Sequence, residues 1–285
     1  MRAALPGPRP LEVKMTSVSF LSSDFNGTLV HSHTMQEMIR WGFPHEPRRW
    51  EEAARAFALQ TEGRLSMVET FRVAGEMSRG LPLRSALDYN LSCLRFVNGY
   101  DSLMSFLRRR ALHLAIISTG YTVSMYCLRY ATRTVPFSFA CNRMLFAPGG
   151  RGEPLGEDRI EELVNRYILE PGVREDSTYD RILATGEIEV GIQDEGDKAA
   201  LALKMAFELG IDPKAVAHMG DTMGDSMGIL GVARAGGLGI AFNYNAALEE
   251  FLRTEGAREM ALGRIVLVDA KSPQATLEHV IPYLS

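Results

Sequence analysis

Asp24, Asn26, Gly27 and Thr28 crowd into one stretch, "DFNGT", that directly follows the apolar run "VSFLSS" at 18–23. A carboxylate at the end of a buried strand can hold a metal ion or attack an electrophile, one oxygen for each task. A phosphoryl group suits such an attack, because its charge can be shared among a metal, a lysine and hydroxyl or backbone donors. The chain carries those parts elsewhere. Ser118 closes another apolar run and is followed by Thr119 and Gly120, so a hydroxyl and nearby amides can face an anion. Thr119 takes that place if the strand ends one residue later. Lys198 opens a helical pattern and can neutralise an oxyanion. "GDTMGD" at 220–225 supplies Asp221 and Asp225 directly after a further strand, a second acidic wall for a cation. Hard oxygen ligands of this kind favour Mg²⁺.

The elements that must position these groups are legible in the apolar pattern. "VSFLSS" (18–23), "LHLAIIS" (112–118), "AVAHM" (215–219), "LGIAF" (238–242) and "IVLVD" (265–269) are mostly continuous apolar runs. Such runs are expected of parallel strands covered by helices on both faces. Helical patterns at 101–110, 198–209 and 246–253 separate them. The fold class is therefore α/β, a doubly wound Rossmann-like parallel sheet, in which ligands sit at the carboxyl ends of strands. All three polar clusters fall at such ends, which points to one shared site.

Two regions depart from that alternation. Residues 32–97 show no strand; Trp50, Ala53, Ala54, Phe57 and Ala58 follow helical spacing, as do Met67, Phe71 and Ala74. They read as an α-helical module inserted between the first two strands. Residues 143–196 form an extra segment. It opens with "APGGRGEPLGED", carries one amphipathic helix with Ile160, Leu163, Val164, Tyr167 and Ile168 on one face, and ends in a β-excursion at "TGEIEVGIQDEGDK". The expected organisation is a loose arm at 1–15, an α/β core at 16–31 and 98–285, and the helical module at 32–97.

Composition narrows the function classes. A net charge of −4 over 285 residues gives no reason to expect nucleic acid or an anionic membrane as partner. No apolar run reaches membrane-span length, and the Pro- and Arg-containing N-terminus lacks the apolar segment of a signal peptide. Cys93, Cys127 and Cys141 make neither a zinc pattern nor a disulfide framework, which fits a reducing cytoplasm and small buried hydrophobes. His31 and His33 lack an evident third ligand for a transition metal, and "GGLG" at 236–239 lacks the dinucleotide-binding order. The amphipathic helix at 158–168 is first a core helix; a homodimer contact or pocket wall is the minor alternative.

With these residues in place, the chain resembles the haloacid dehalogenase (HAD) superfamily. Four motifs match in order: "DFNGT", "IISTG" (116–120), "DKAA" (197–200) and "GDTMGD". "DFNGTLVHSHTMQEMIR", "EGRLS", "ACNRML" and "LGIAFNYN" further resemble the phosphoserine-phosphatase-like subgroup, which carries a helical cap after the first motif. The resemblance covers roughly 16–145 and 197–282. It implies that Asp24 is the nucleophile, forming an aspartyl-phosphate, and a Mg²⁺ ligand. It further implies that the main-chain oxygen of Asn26 and the carboxylate of Asp221 complete the metal shell and that Asp225 supports it. Ser118 and Lys198 would hold the phosphoryl oxygens, with Gly27 permitting close backbone approach. Thr28, Thr119 and Gly120 join the expected phosphate-binding set. The implied reaction is hydrolysis of a small phosphorylated metabolite, with the cap closing over the substrate.

Two departures bear on that expectation. The family's phosphatases carry aspartate where this chain has Asn26, and an amide cannot transfer protons at neutral pH. The chain is then a slow phosphatase, with a good leaving group or a substitute base such as His31 or His33. Otherwise it is a catalytically impaired phospho-ligand-binding or regulatory protein, or an engineered trap. Phosphoryl transfer to another acceptor is a further alternative. The second departure lies in the cap. His33 stands where phosphoserine phosphatases place a glutamate, and Met67 and Ala74 stand where they use an aromatic and an arginine. Without those charges phosphoserine is not the expected substrate, and His33 and Met67 become substrate-lining residues. Arg64 and Arg72 are expected to be solvated helix residues.

Overall fold

In a computed structural model, residues 17–285 are described except Ser32, Glu62, Gly63 and Arg133; the expected N-terminal arm lies outside the described residues. Strand β1 (Phe20–Ser23) leads into four helices, α1 (Thr34–Gly42), α2 (Pro47–Thr61), α3 (Met67–Ser78) and α4 (Leu83–Ser92). The chain then alternates through α5 (Tyr100–Arg110), β2 (His113–Tyr121), α6 (Thr122–Ala131) and β3 (Phe137–Pro148). Next come α7 (Glu157–Leu169), α8 (Thr178–Arg181), β4 (Ile182–Glu189), α9 (Glu195–Glu208) and β5 (Val216–Gly220). It ends with α10 (Ser226–Arg234), β6 (Leu238–Tyr244), α11 (Ala246–Glu255), α12 (Ala257–Ala261) and β7 (Ile265–Ala270).

The described strands form one seven-stranded sheet ordered β4-β3-β2-β1-β5-β6-β7, all parallel except the β3–β4 pair. The chain builds outward from β1 on one side and then restarts at β5 on the other. The crevice between the carboxyl ends of β1 and β5 is thus the topological switch point, where such sheets bind ligands. Alternate residues of the central strands serve two cores. Leu21, Leu114 and Ile116 pack in one cluster with Leu103 and Leu107 of α5. Phe20, Ala115 and Ile117 pack in another with Ala199, Ala202 and Ala206 of α9. Both faces are covered, which is why the strands read as unbroken apolar runs.

The helical insert and the segment after β3 share a third core. Met35, Met38, Ile39, Leu83 and Leu87 of the insert pack with Ile160, Leu163, Tyr167 and Tyr179. Gly80 N–H donates to Ala184 O and Ala184 N–H to Leu81 O, each at 2.8 Å, so the turn after α3 adds itself to the edge of β4. Arg84 reaches Asp180 at 2.6 Å, and Tyr167 Oη donates to Asp88 at 2.7 Å. At Gly75 of α3 a β-carbon would stand 2.7 Å from Gly186 O, so only glycine permits this closeness.

The segment at 143–196 is therefore not an appendage. It begins inside β3, whose residues Phe137–Cys141 run parallel to β2 and whose continuation pairs antiparallel with β4. The strand starting at Phe137 escaped the sequence reading because "FSFACNRMLF" alternates in burial and is half-exposed at its start. Its partners on the two sides also run in opposite senses.

Candidate active site

Each chemical group arrives at the cleft on the end of an element. Asp24 leaves β1, its N–H donating to Met219 O at 2.8 Å. Ser118 and Gly120 lie where the β2–β3 register breaks, and Gly120 N–H donates to Ser118 Oγ at 3.1 Å. Lys198 rides the first turn of α9, which Asp194 caps through Gly196 and Asp197 N–H groups. Asp221 and Asp225 follow β5. The cleft, about 720 Å³, is lined by Asp24, Asn26, Gly27, Thr119, Lys198 and Asp221 on this side.

The charged groups form a tight, buried set. Lys198 Nζ lies 2.5 Å from Asp225 Oδ1 and 3.3 Å from Asp24 Oδ1. Asp225 is fully used: its other oxygen accepts from Asp221 N–H at 3.1 Å and Thr222 N–H at 3.3 Å. Asp221 Oδ1 accepts from the buried Thr28 hydroxyl at 2.9 Å. Burial opposes charge on Lys198, yet Asp225 and Asp24 raise its pKa above the ordinary lysine value. Burial raises Asp24, against the pull of Lys198. Burial also pushes Asp221 well above the usual carboxylate range, helped by Asp225 and Asp24.

Oxygens of Asp24, Asp221 and Asp225 all lie within 4.8 Å of one another. Asp24 Oδ1 is buried and faces the Lys198 ammonium at 3.3 Å without a well-aligned hydrogen bond. One lysine faces three acids there, so the donor set fits a hard divalent cation such as Mg²⁺. At Gly27, with φ +82°, a β-carbon would fall 2.3 Å from Asp221 Oδ2. Only glycine lets this loop pass so near that carboxylate.

The structure brings Asp24, Asn26, Gly27, Thr119, Lys198, Asp221, His33 and Met67 to one cleft. Ser118 is buried and hydrogen-bonded to Asp24 beneath it. Thr28, Gly120 and Asp225 are buried behind this surface, and Thr28 faces Asp221. Asn26 Oδ1 accepts from Thr34 N–H at 3.1 Å, so the amide caps the start of α1 from outside that helix. Its Nδ2 faces Gly120, 3.4 Å from where a β-carbon would stand. Ala74 is buried within the insert, and Arg72 is exposed. Cys127 and Cys141 are buried, which raises their thiol pKa values and makes them inert; Cys93 is half-buried.

Residues that the motifs did not single out hold the loops. Asn243 Nδ2 donates to Gly27 O at 3.0 Å, while its Oδ1 accepts from Ser272 N–H at 3.1 Å. Asn142 does the same for Thr119 O and the Gly191 and Ile192 amides, at 3.1, 2.9 and 3.2 Å. Both asparagines lie inside the stretches "ACNRML" and "LGIAFNYN" on which the resemblance rests. Phe57, Gln60, Phe251 and Lys271 line the cleft from distant segments and left no motif.

The fold is that of haloacid dehalogenase-type hydrolases, in the form seen in phosphoserine phosphatases. A phosphoserine phosphatase solved as an analogue of its phospho-aspartyl intermediate superposes with a TM-score of 0.65 at 17% identity, covering 95% of this chain and 100% of that one. A substrate-bound phosphoserine phosphatase gives 0.66 at 16% identity, with the same 95% and 100% coverage. A HAD family hydrolase from Salmonella enterica gives 0.58 at 17% identity, covering 81% of this chain and 64% of that one. No family model and no curated protein matches the sequence. Among the described residues no helix is long and apolar enough to cross a membrane.

Proposed function

We propose that the chain is a Mg²⁺-dependent phosphatase of small phosphomonoesters, working through an aspartyl-phosphate on Asp24. The observation that carries this reading is the buried Asp24 carboxylate facing Lys198 and the Asp221–Asp225 pair at the sheet's switch point. An Asp24 oxygen attacks phosphorus, and the bond from phosphorus to the alcohol oxygen breaks. Water then attacks the same phosphorus, releasing inorganic phosphate and restoring the carboxylate. Lys198, Ser118 and the Thr119 amide hold the phosphoryl oxygens while charge shifts among them; Gly27 N–H is committed to Val30 O at 2.7 Å and Gly120 N–H to Ser118 Oγ at 3.1 Å, so these two glycines shape the cradle. Asp24, the main-chain oxygen of Asn26 and Asp221 would ligate the cation, and Asp225, committed to Lys198 and two amides, braces them. A bound divalent cation neutralises phosphoryl charge there. Residues 32–97 act as the cap over the α/β core.

Asn26 supports a narrower statement. Its Oδ1 already accepts a backbone hydrogen bond, and neither atom of an amide can supply or take a proton. Turnover is slow for alcohols that must leave protonated, and a phospho-ligand-binding role becomes the second reading. The test is p-nitrophenyl phosphate hydrolysis with MgCl₂, in the wild type and in Asn26→Asp. Turnover that Asn26→Asp accelerates supports the enzyme. Retained phosphate binding without turnover in either protein supports the binder. Product that follows an added alcohol marks a phosphotransferase.

A further inference from the structure

The wall opposite the acidic groups is uncharged and partly aromatic. Among the described residues the insert lends the cleft His33, Phe57, Gln60 and Met67, and His31 flanks them from the end of the first core segment, with no carboxylate, ammonium or guanidinium. The His33 ring lies 3.8 Å from that of Phe57, and Phe71 backs Phe57 edge-on at 6.3 Å. Burial lowers the His33 pKa to about 4, against the pull of Asp24, so the imidazole is neutral at pH 7. The charged residues Glu250 and Lys271 belong to the core side and are exposed. A second hollow of about 480 Å³ adjoins the cleft and shares Gln60 and Met67; it adds Leu65 and Met227, with Gln193, Asp194 and Gly196 on its core side.

Two independent features meet here. An ammonium and a carboxylate brought against an uncharged wall lose water and gain no counter-charge. A flat ring gains buried area and ring contacts instead. At the scissile bond, the residue at position 26 has no proton to give. A phenolic oxygen, with a pKa of about 10, leaves as an anion far more readily than an alkoxide. We propose that this site takes phosphomonoesters of aryl alcohols, with the ring held against Phe57 and Met67, and not zwitterionic amino acid phosphates. The inference rests on the phosphatase reading for its chemistry and on the wall for its selectivity. In the first step the Asp24–phosphorus bond forms, and the aryl oxygen leaves with the electron pair and takes its proton from water.

Calorimetry on the full chain with MgCl₂ tests the selectivity. Three uncleavable probes are used: naphthylmethylphosphonate, the phosphonate isostere of phosphoserine, and inorganic phosphate. The aryl phosphonate should bind at least about tenfold tighter than the other two. Phe57→Ala should remove most of that advantage and leave inorganic phosphate within about twofold. Met67→Gln, neutral and of similar length, should reduce the same advantage if Phe57→Ala does not fold. A smaller advantage, equal or tighter binding of the amino acid phosphonate, or no binding of any probe overturns the proposal. Turnover of p-nitrophenyl phosphate is read separately. Selective binding without turnover sinks the hydrolase and keeps the aryl site; turnover without selectivity sinks the aryl site alone.

Discussion

The two walls of the cleft are built by opposite rules. On the core side, Asp24, Lys198, Asp221 and Asp225 are buried charges whose oxygens and ammonium are bound to one another and to backbone amides. On the insert side, His33, Phe57 and Met67 present half-buried, uncharged surfaces, and among the described residues His33 Nδ1 has no hydrogen-bond partner. On the phosphatase reading proposed above the first wall fixes the reaction, since buried charges tolerate no substitution that unpairs them. On the same reading the second selects the leaving group, and an uncharged surface can change its residues without leaving a charge stranded. The difference teaches that reaction type and substrate choice reside in separate stretches of one chain.

The contrast breaks most sharply at Asp24. Asp24→Asn should reduce p-nitrophenyl phosphate turnover by on the order of 10⁴-fold or more, because the nucleophile is gone. Residual turnover near wild type would remove the core wall from the chemistry. Asn26→Asp should raise turnover of alkyl phosphates by about 10²–10⁴-fold and of p-nitrophenyl phosphate much less, since only the alkyl group needs the proton. The new carboxylate can still accept from Thr34 N–H, so the fold should hold. Equal gains on both substrates would deny Asn26 a place beside the leaving group. Lys198→Ala strands Asp225 and Asp24, and denaturant unfolding without metal should show a loss of about 3–5 kcal/mol.

Asp221→Asn sharpens the electrostatic side. Burial and neighbouring acids raise the folded pKa values of Asp24 and Asp221 above those of the unfolded chain. Their contribution is therefore present below about pH 4 and is lost as pH rises through the raised folded values. Without metal, Asp221→Asn should be the more stable protein at neutral pH, by on the order of 1 kcal/mol, and the two should converge at acid pH. Added MgCl₂ should reverse the order by stabilising only the wild type. A metal-free wild type that gains stability from pH 4 to 8 relative to Asp221→Asn contradicts the buried acid cluster. The smallest effect belongs to the insert's outer face: Arg72→Ala should change stability by less than about 0.5 kcal/mol and leave turnover unaltered, as Arg72 is exposed and lies outside the cleft lining.

The same division explains what the sequence disclosed. The core wall was legible because its residues sit at the ends of continuous apolar runs, where type and spacing carry chemistry. Asp24, Ser118 and Asp221 sit at strand ends and Lys198 at a helix start, and the family resemblance named the four together. The insert wall was not legible. Phe57 lies on a helical apolar stripe and reads as core, and only the packing of α2 against the site turns it toward the cleft. Asn142 and Asn243 act through backbone atoms of loops far away in sequence, so no local pattern marks them. The strand at Phe137–Pro148 stayed hidden because a strand with one parallel and one antiparallel partner, half-exposed at its start, lacks the apolar continuity of its neighbours.

The bonding of the insert to β4 has a mechanical consequence. Its polypeptide joins the sheet at two necks near residues 31 and 97, and it is also stitched to the far edge through Gly80, Leu81 and Arg84. A hinged door needs one free side, and this one is fastened on both. Swinging α3 and α4 outward would tear strand-edge hydrogen bonds and bare the apolar seam beneath them, so the aperture keeps its width. For the phosphatase proposed above, entry would then be a sieve by cross-section that admits compact monoesters and keeps a phosphate borne on the surface of a folded protein outside.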